Sequence, residues 1–582
     1  MAVKLDKLFN EPVSLNIQAL TYIANYKTDI DLWINSLAEL ELGEAAKQIF
    51  ITLLELRSFD CSDLVRFQII QHLEPQLAHL LRSLEQHYLN NTLLDTKRDQ
   101  QISDLVLEIK SHHALLYNEI LARTEQTLTQ HKFSFFEFNL KKKLTKLRKQ
   151  ASFLSLERLT NLLYSLQLLY YDVPQNFWAL SYTAYKNALT HQYYTERIDV
   201  VLDADSTVDS VQKSFCRLLL LYLLNNHKLR QSEIKELMQC IGYWTALVQL
   251  FEHPQAHSTY YCDTTTDHPP HFYFSHMSVQ SQAIYIDLSE LCTYIESTLK
   301  PNAHYYSKQE QKLLTQVLKH HIVNILTLDP SGISPRYNEQ GTFEIALGMT
   351  SAHFFLSHAK HFKETLALDF DIAIKNNLQS LNHLNNETTA QLSTRRYEQR
   401  FNAEITKIYQ VNLINRSDSG YGLQWQNKMV KNFRTGEFVL LKEHQQDEWS
   451  GAIIRWMKNS NEQAIDFGVE KVAEQMCPIA VCLPNQNTPQ PVYHPAILYR
   501  NPKQQFALVL PSAQIFYEEQ SLILRFAHTE LRIYLKQSHI LMQNCATFDF
   551  ELLEQSKLTL LQQHFEQHLT ALKTQDLWES LK

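Results

Sequence analysis

Two short polar stretches of this 582-residue chain carry side chains whose types and spacing suit chemistry. The first reads RRYEQR over residues 395 to 400. Arg396 and Arg400 are four apart, the spacing that brings two side chains to one face of a helical turn, and Arg395 adjoins them. Planar guanidinium groups make paired hydrogen bonds to phosphate oxygens and stack on aromatic rings. The second stretch reads NRSDSG over residues 415 to 420. Asn415 and Ser417 are short groups that bond either to a turn backbone or to a ligand. Gly420 admits positive φ and a close approach by backbone or ligand. The strand-like runs YQVNLI and YGLQW flank it, which places the turn at the edge of a sheet. Read from these residues alone, the stretch is either a tight structural turn or part of a site for an anionic ligand.

Other chemistries leave little trace. There is no Gly-rich phosphate loop, no H-E-x-x-H and no Ser-His-acid order in a recognisable context, so an enzyme is not expected. His257, Cys262, Asp263, His268 and His271 are metal-ligand types, but their spacing fits no familiar site and prolines interrupt it, so no metal is expected. This stretch, rich in Pro, Thr, Asp and His, reads as loop. His320, His321, His353, His358 and His361 read as surface or core groups. None of the eight cysteines forms a C-x-x-C pair, which fits free thiols in a reducing cytoplasm. The net charge of −8 argues against broad binding to nucleic acid but leaves room for a local phosphate pocket. The basic run Lys141, Lys142, Lys143, Lys146, Arg148 and Lys149 reads as a solvated helix face, or more sharply as a contact surface for an acidic partner or a nucleic acid, though no interleaved aromatics support base stacking.

Behind these residues the chain divides by its hydrophobic period. A composition of 45% hydrophobic and 20% charged residues with ten glycines is that of a globular protein with long helices. The length implies several domains. Residues 1–250 carry apolar positions three and four apart in run after run, and form a helical domain. Pro75 is expected to interrupt or kink one of these runs. Residues 251–390 read as a mixed α/β middle region, ending in an Asn-rich linker. In it, GTFEIALGMTSAHFFL reads as a strand entering a helix at Gly348. From about residue 405 the period becomes mainly two, and many short strands at turn-like spacing suggest a small barrel. Residues 501–582 add further strands and a C-terminal helix. The expected fold class is therefore α+β and multidomain, with a mainly α-helical N-terminal and middle region followed by a C-terminal barrel. No run reaches the length of a membrane span, and the first residues lack a secretory apolar stretch, so a cytoplasmic location is expected.

With both motifs in view, residues 395–500 resemble the PilZ domain, an antiparallel β-barrel that in many bacterial proteins binds cyclic di-GMP. RYEQR at 396–400 matches the family's R-x-x-x-R motif, and NRSDSG at 415–420 matches its [D/N]-x-S-x-x-G motif. GEFVLL, GAIIRWM and DFGVEKV are similar to its later strands, with Gly468 where the family tends to have a glycine. The resemblance implies that Arg396 and Arg400 clamp phosphates and guanine faces, with Arg395 as a further phosphate contact. It implies that Asn415 and Ser417 bond to guanine or phosphate groups and that Gly420 permits close approach. FNAEITKIYQVNL leaves room for little more than one strand between the motifs, so a barrel begun at residue 395 is short of wall. The function implied is a cyclic di-GMP receptor, the nucleotide acting as signal and not as cofactor. Binding at the linker–barrel junction would alter domain arrangement or partner binding. The alternative is an interaction scaffold whose barrel no longer binds nucleotide. In either case the helical region is expected to supply the surface for a protein partner.

Overall fold

The computed structural model describes residues 2–580 apart from 27, 90–95, 201–206, 226, 275, 278–281, 301, 329–334, 366–404, 444–447, 462–463, 485–491 and 513. The chain forms two compact units, residues 1–330 and 331–582.

The first unit is built on long helices at Leu42–Ser58, Asp63–Leu89, Lys97–Gln130 and Phe138–Leu168, with shorter ones following. Their three- and four-residue apolar spacing puts Leu53, Leu73, Leu107, Leu116, Leu156 and Leu163 in one continuous core. A capping box starts the helix Lys97–Gln130: the Asp99 N–H donates to Thr96 Oγ1 at 3.1 Å and the Thr96 N–H to Asp99 Oδ2 at 3.2 Å. Pro75 does not interrupt the helix Asp63–Leu89, which continues through it. The ring removes one backbone donor, but Leu73, Leu77 and Leu80 on either side are buried, and this packing outweighs the lost bond. The Pro- and His-rich stretch after residue 255 is not wholly loop. It holds β2 (Ser258–Asp263) and β3 (His271–Phe272), which join β1 (Gln249–Phe251) and β4 (Ala283–Asp287) in a sheet of order β1-β4-β2-β3. Cys262 is buried there, and Asp263 accepts from the backbone and hydroxyl of Thr265 at 3.0 and 2.6 Å. Among the described residues, no group of acidic, His or Cys side chains is placed to hold a metal ion.

The second unit contains two closed barrels. The first is formed by β5 (Tyr337–Leu347), β6 (Tyr409–Ser417), β7 (Gly420–Trp425), β8 (Phe438–Glu443), β9 (Ser450–Asn461) and β10 (Ala464–Ala473), in the order β10-β7-β6-β5-β8-β9. The second contains β11 (Met476–Cys482), β12 (Tyr493–Arg500), β13 (Phe506–Leu510), β14 (Ser521–Phe526), β15 (Thr529–Met542) and β16 (Cys545–Leu552). Where the family resemblance implied a single barrel over 395–500, the first barrel instead begins at residue 337 and the second at residue 476. The missing wall is β5, which pairs antiparallel with both β6 and β8. It lies on the N-terminal side of the arginine motif, where the spacing between motifs gives no sign of it.

At the end of β5, Gly348 takes φ +90°, a conformation other residues adopt only with strain, and turns the chain into the helix Met349–Leu356. Met349 and Leu356 pack with Phe438 and Leu440 of the first barrel and Ile497 and Val509 of the second. The terminal helix, Leu558–Ser580, buries Leu561 and Phe565 in the second barrel's core. Burial holds His353 down at about 4, and holds His568 at about 4 with His358, His564 and His353 adding repulsion. In the first unit, burial and the Arg57 guanidinium, 2.8 Å from Nδ1, hold His112 at about 3.

All three values lie below the 6.5 of a free imidazole, so below that pH the unfolded chain takes up protons that the folded chain refuses. The stability these histidines support is complete above pH 6.5 and is lost as pH falls toward 4 for His353 and His568 and toward 3 for His112. Within that window each costs about 1.4 kcal/mol per pH unit. The melting temperature of the full chain is expected to fall steadily over this range. A melt that stays flat down to about pH 4.5 would contradict it.

Candidate functional site

β6 and β7 form a hairpin closed by the pair Ser417–Gly420, with Asp418 and Ser419 at the tip. The Ser417 hydroxyl donates to the Gly420 carbonyl at 3.3 Å and lies 3.3 Å from the Ser419 hydroxyl. The Lys471 N–H donates to the Ser419 carbonyl at 2.9 Å and ties the tip to the end of β10. Gly420 does not use positive φ. Its glycine requirement is space, because a Cβ there would lie 2.0 Å from the carbonyl oxygen of Val469 on β10.

Strand register then assembles a row that the linear sequence conceals. Asn338 on β5 pairs with Asn415 on β6, Asn415 with Gly422 on β7, Gly422 with Gly468 on β10, and Gly468 with Trp456 on β9. Directly paired residues share a face of the sheet. The neighbouring row, Leu413, Leu423, Phe467 and Met457, is buried inside the barrel, and a register shift between Leu413 and Asn415 on β6 turns Asn415 to the other face, so the row carrying Asn415 and Trp456 is on the outside. Ser417 and Gly420 stand two residues further along on that same outer face.

The two glycines let their neighbours lie low on the strands. A Cβ at Gly422 would meet the Asn415 Oδ1 at 2.5 Å, and one at Gly468 would meet the Trp456 indole Nε1 at 1.8 Å. Asn415 and Trp456 thus rest over adjacent positions of the sheet. The exposed Arg336, just before β5, places its guanidinium carbon 5.8 Å from the centre of the Trp456 ring. An indole, a carboxamide and a guanidinium side by side can stack on a planar base, read its edge and neutralise a phosphate.

Arg416, between the two motif residues, takes the opposite side. Its guanidinium forms an ion pair with Glu339 at 2.9 Å, donates to Glu443 at 3.0 Å and lies 5.3 Å from the Tyr421 ring centre. It is committed to acidic partners, whereas Asn415 and Ser417 are on the outer face. The structure thus brings Asn415, Ser417 and Gly420 together. Arg395, Arg396 and Arg400 lie outside the described residues. Their place in the chain is nonetheless informative. They fall between β5 and β6, two paired strands of one barrel, and not in a linker between the helical region and the barrel. Trp456, Gly422, Asn338 and Arg336 were not singled out by sequence reasoning. The first three are ordinary strand residues until register aligns them with Asn415, and Arg336, just before β5, joins them through the Trp456 ring.

Comparisons with known proteins show the family. The family model described as the N-terminal domain of the cyclic-di-GMP receptor FimW matches residues 28–255. That of the FimW middle PilZ domain matches residues 260–391 and 369–478, the stretch that contains the whole first barrel. The cyclic-di-GMP receptor FimW of Pseudomonas aeruginosa is 21% identical over 499 residues, covering 80% of this chain and 80% of its own. Among solved structures, MrkH, described as a c-di-GMP-dependent transcription regulatory factor, is 12% identical and covers 29% of this chain and 81% of its own. Its TM-score is 0.14, which carries no argument about this fold. The helical first unit, the barrel with the N-x-S-x-x-G hairpin on its wall, and matches that run from residue 28 to residue 478 together make this chain a PilZ-domain protein related to FimW, within that cyclic-di-GMP receptor family.

Proposed function

We propose that the chain is a cyclic di-GMP receptor and not an enzyme, and that the nucleotide docks on the outer wall of the first barrel. The observation that carries this reading is the cross-strand row Asn338–Asn415–Gly422–Gly468–Trp456, with Ser417 beside it and Arg336 over the indole. In this reading a guanine base stacks against Trp456 and presents its edge to Asn415 and Ser417. Arg336 and the arginines at 395, 396 and 400 take the phosphates. Because those three arginines lie between β5 and β6, binding fastens the barrel's own connection to its outer wall and changes what that connection offers to a protein partner. A cytoplasmic setting is part of the proposal. It is supported by the eight free cysteines, and no helix of the described residues is long and apolar enough to cross a membrane.

The test is calorimetric titration of the full chain with cyclic di-GMP, with GMP and GTP as controls. Saturable binding is expected for cyclic di-GMP alone. Asn415→Ala removes one neutral hydrogen-bonding group and should weaken it by roughly tenfold, about 1.4 kcal/mol. If the wild-type chain shows no binding by heat or by displacement of a fluorescent analogue, the barrel is a scaffold and the helical region becomes the place to seek partners.

A further inference from the structure

The first unit carries a second surface feature, far in sequence from the barrel. The long helices Lys97–Gln130 and Phe138–Leu168 are joined by a short connection containing a single tight helical turn, Phe135–Glu137. Polar groups build this connection. The Ser134 backbone and hydroxyl both donate to Glu137 Oε2, at 2.9 and 2.8 Å, and Glu137 Oε1 lies 3.1 Å from His131 Nε2. Phe133 packs against the core of the unit. The next three phenylalanines do not. Phe135 is 90% exposed, Phe136 94% and Phe138 66%. Phe135 and Phe136 meet edge to face with centroids 6.2 Å apart. Three rings held in water at the end of a helical hairpin contribute nothing to the fold, and such exposed apolar groups mark a contact surface.

Charge indicates what that surface meets. Lys132, Lys141, Lys142 and Lys143 are exposed around the rings, and none has an ion pair among the described residues. One turn further on, the basic residues do have acidic partners. Lys146 lies 3.7 Å from Asp199, Arg148 lies 3.1 Å from Glu125, and Lys149 pairs with Glu196. The unneutralised lysines are therefore concentrated at the tip, on a chain whose net charge is −8.

We propose that this tip is a membrane-surface anchor that inserts Phe135, Phe136 and Phe138 among the acyl chains of an anionic leaflet while the lysines bind headgroup phosphates. A convex tip with rings at its end and cations around them matches a flat, negatively charged lipid surface. A protein partner would instead need an apolar pocket lined with acid. Phenylalanines sit at the headgroup boundary, and lysine stems stretch so that their ammonium groups stay with the phosphates.

The experiment is flotation of the full chain with vesicles of phosphatidylcholine alone and of phosphatidylcholine mixed with phosphatidylglycerol. The wild-type chain is expected to float with the anionic vesicles and to stay behind with the neutral ones. Phe135→Ala/Phe136→Ala/Phe138→Ala and Lys141→Gln/Lys142→Gln/Lys143→Gln should each lower the bound fraction at least roughly tenfold while leaving the thermal melt unchanged, because the six side chains are exposed. Wild-type protein that fails to float at any composition overturns the proposal and assigns the tip to a protein partner. A triple phenylalanine variant that floats like wild type also overturns it.

Discussion

Gly420→Ala is expected to destabilise the first barrel by about 3 kcal/mol, near the upper end of what one added methyl group costs in a packed interior. The atoms that the new Cβ would meet are all backbone. They are the Val469 carbonyl oxygen at 2.0 Å, its carbon at 3.0 Å and the Glu470 Cα at 3.2 Å. No side chain can swing aside, so β7 and β10 must separate where the ladder from Ile465–Trp425 to Glu470–Gly420 ends. The damage would spread to the hairpin tip, since the bond from Lys471 to the Ser419 carbonyl crosses the same strands. Amide hydrogen exchange on β7 and β10 is the measurement, with the thermal melt of the full chain alongside. Faster exchange in those two strands, with the second barrel still protected, is the expected pattern. Protection equal to wild type would mean that the close approach does not need glycine. Ser417→Ala is the control, because among the described residues that hydroxyl bonds only within its own hairpin and its loss should leave exchange unchanged.

The largest functional effect is expected from Arg396→Ala/Arg400→Ala. If the two guanidinium groups hold the phosphates as proposed, each supplies a charge-assisted contact of about 1.5–3 kcal/mol. Together they are worth at least about a hundredfold in affinity, enough to remove saturable binding at micromolar ligand. The lysine pair Arg396→Lys/Arg400→Lys keeps both charges but loses the fork and the stacking plane, so it should recover only part of that loss. Titration of the three proteins with cyclic di-GMP, each with an unchanged melt, separates a phosphate clamp from general charge. Equal affinity in wild type and the double alanine variant would remove the arginines from the site. Arg336 and Trp456 would then be the groups left to hold the ligand.

Much of this molecule can be read from local pattern. The run of helices in the first unit follows from apolar residues three and four apart. The strand-to-helix change at Gly348 is visible where the period shifts, and NRSDSG reads as a turn between two strands. In each case a residue's environment is set by neighbours a few positions away, so the linear order contains the information. Pro75 shows how far such a rule reaches. It predicts an interruption, but the buried leucines on either side hold the helix through it.

Which strands form which barrel was decided by tertiary structure. Period two marks β5, β6 and β11 as strands but does not say that β5 pairs with β6 across the whole interval 348–408, or that β11 opens a new barrel three residues after β10 closes the first. The site divides the same way. Asn415, Ser417 and Gly420 belong to one hairpin, and their spacing in the sequence already groups them. Trp456, Gly468, Gly422 and Asn338 come to Asn415 from four other strands. Alternation gives each strand an inside and an outside, but register between strands distant in sequence is set by the packing of the barrel as a whole, and only that packing brings an indole, two glycines and two carboxamides into one row.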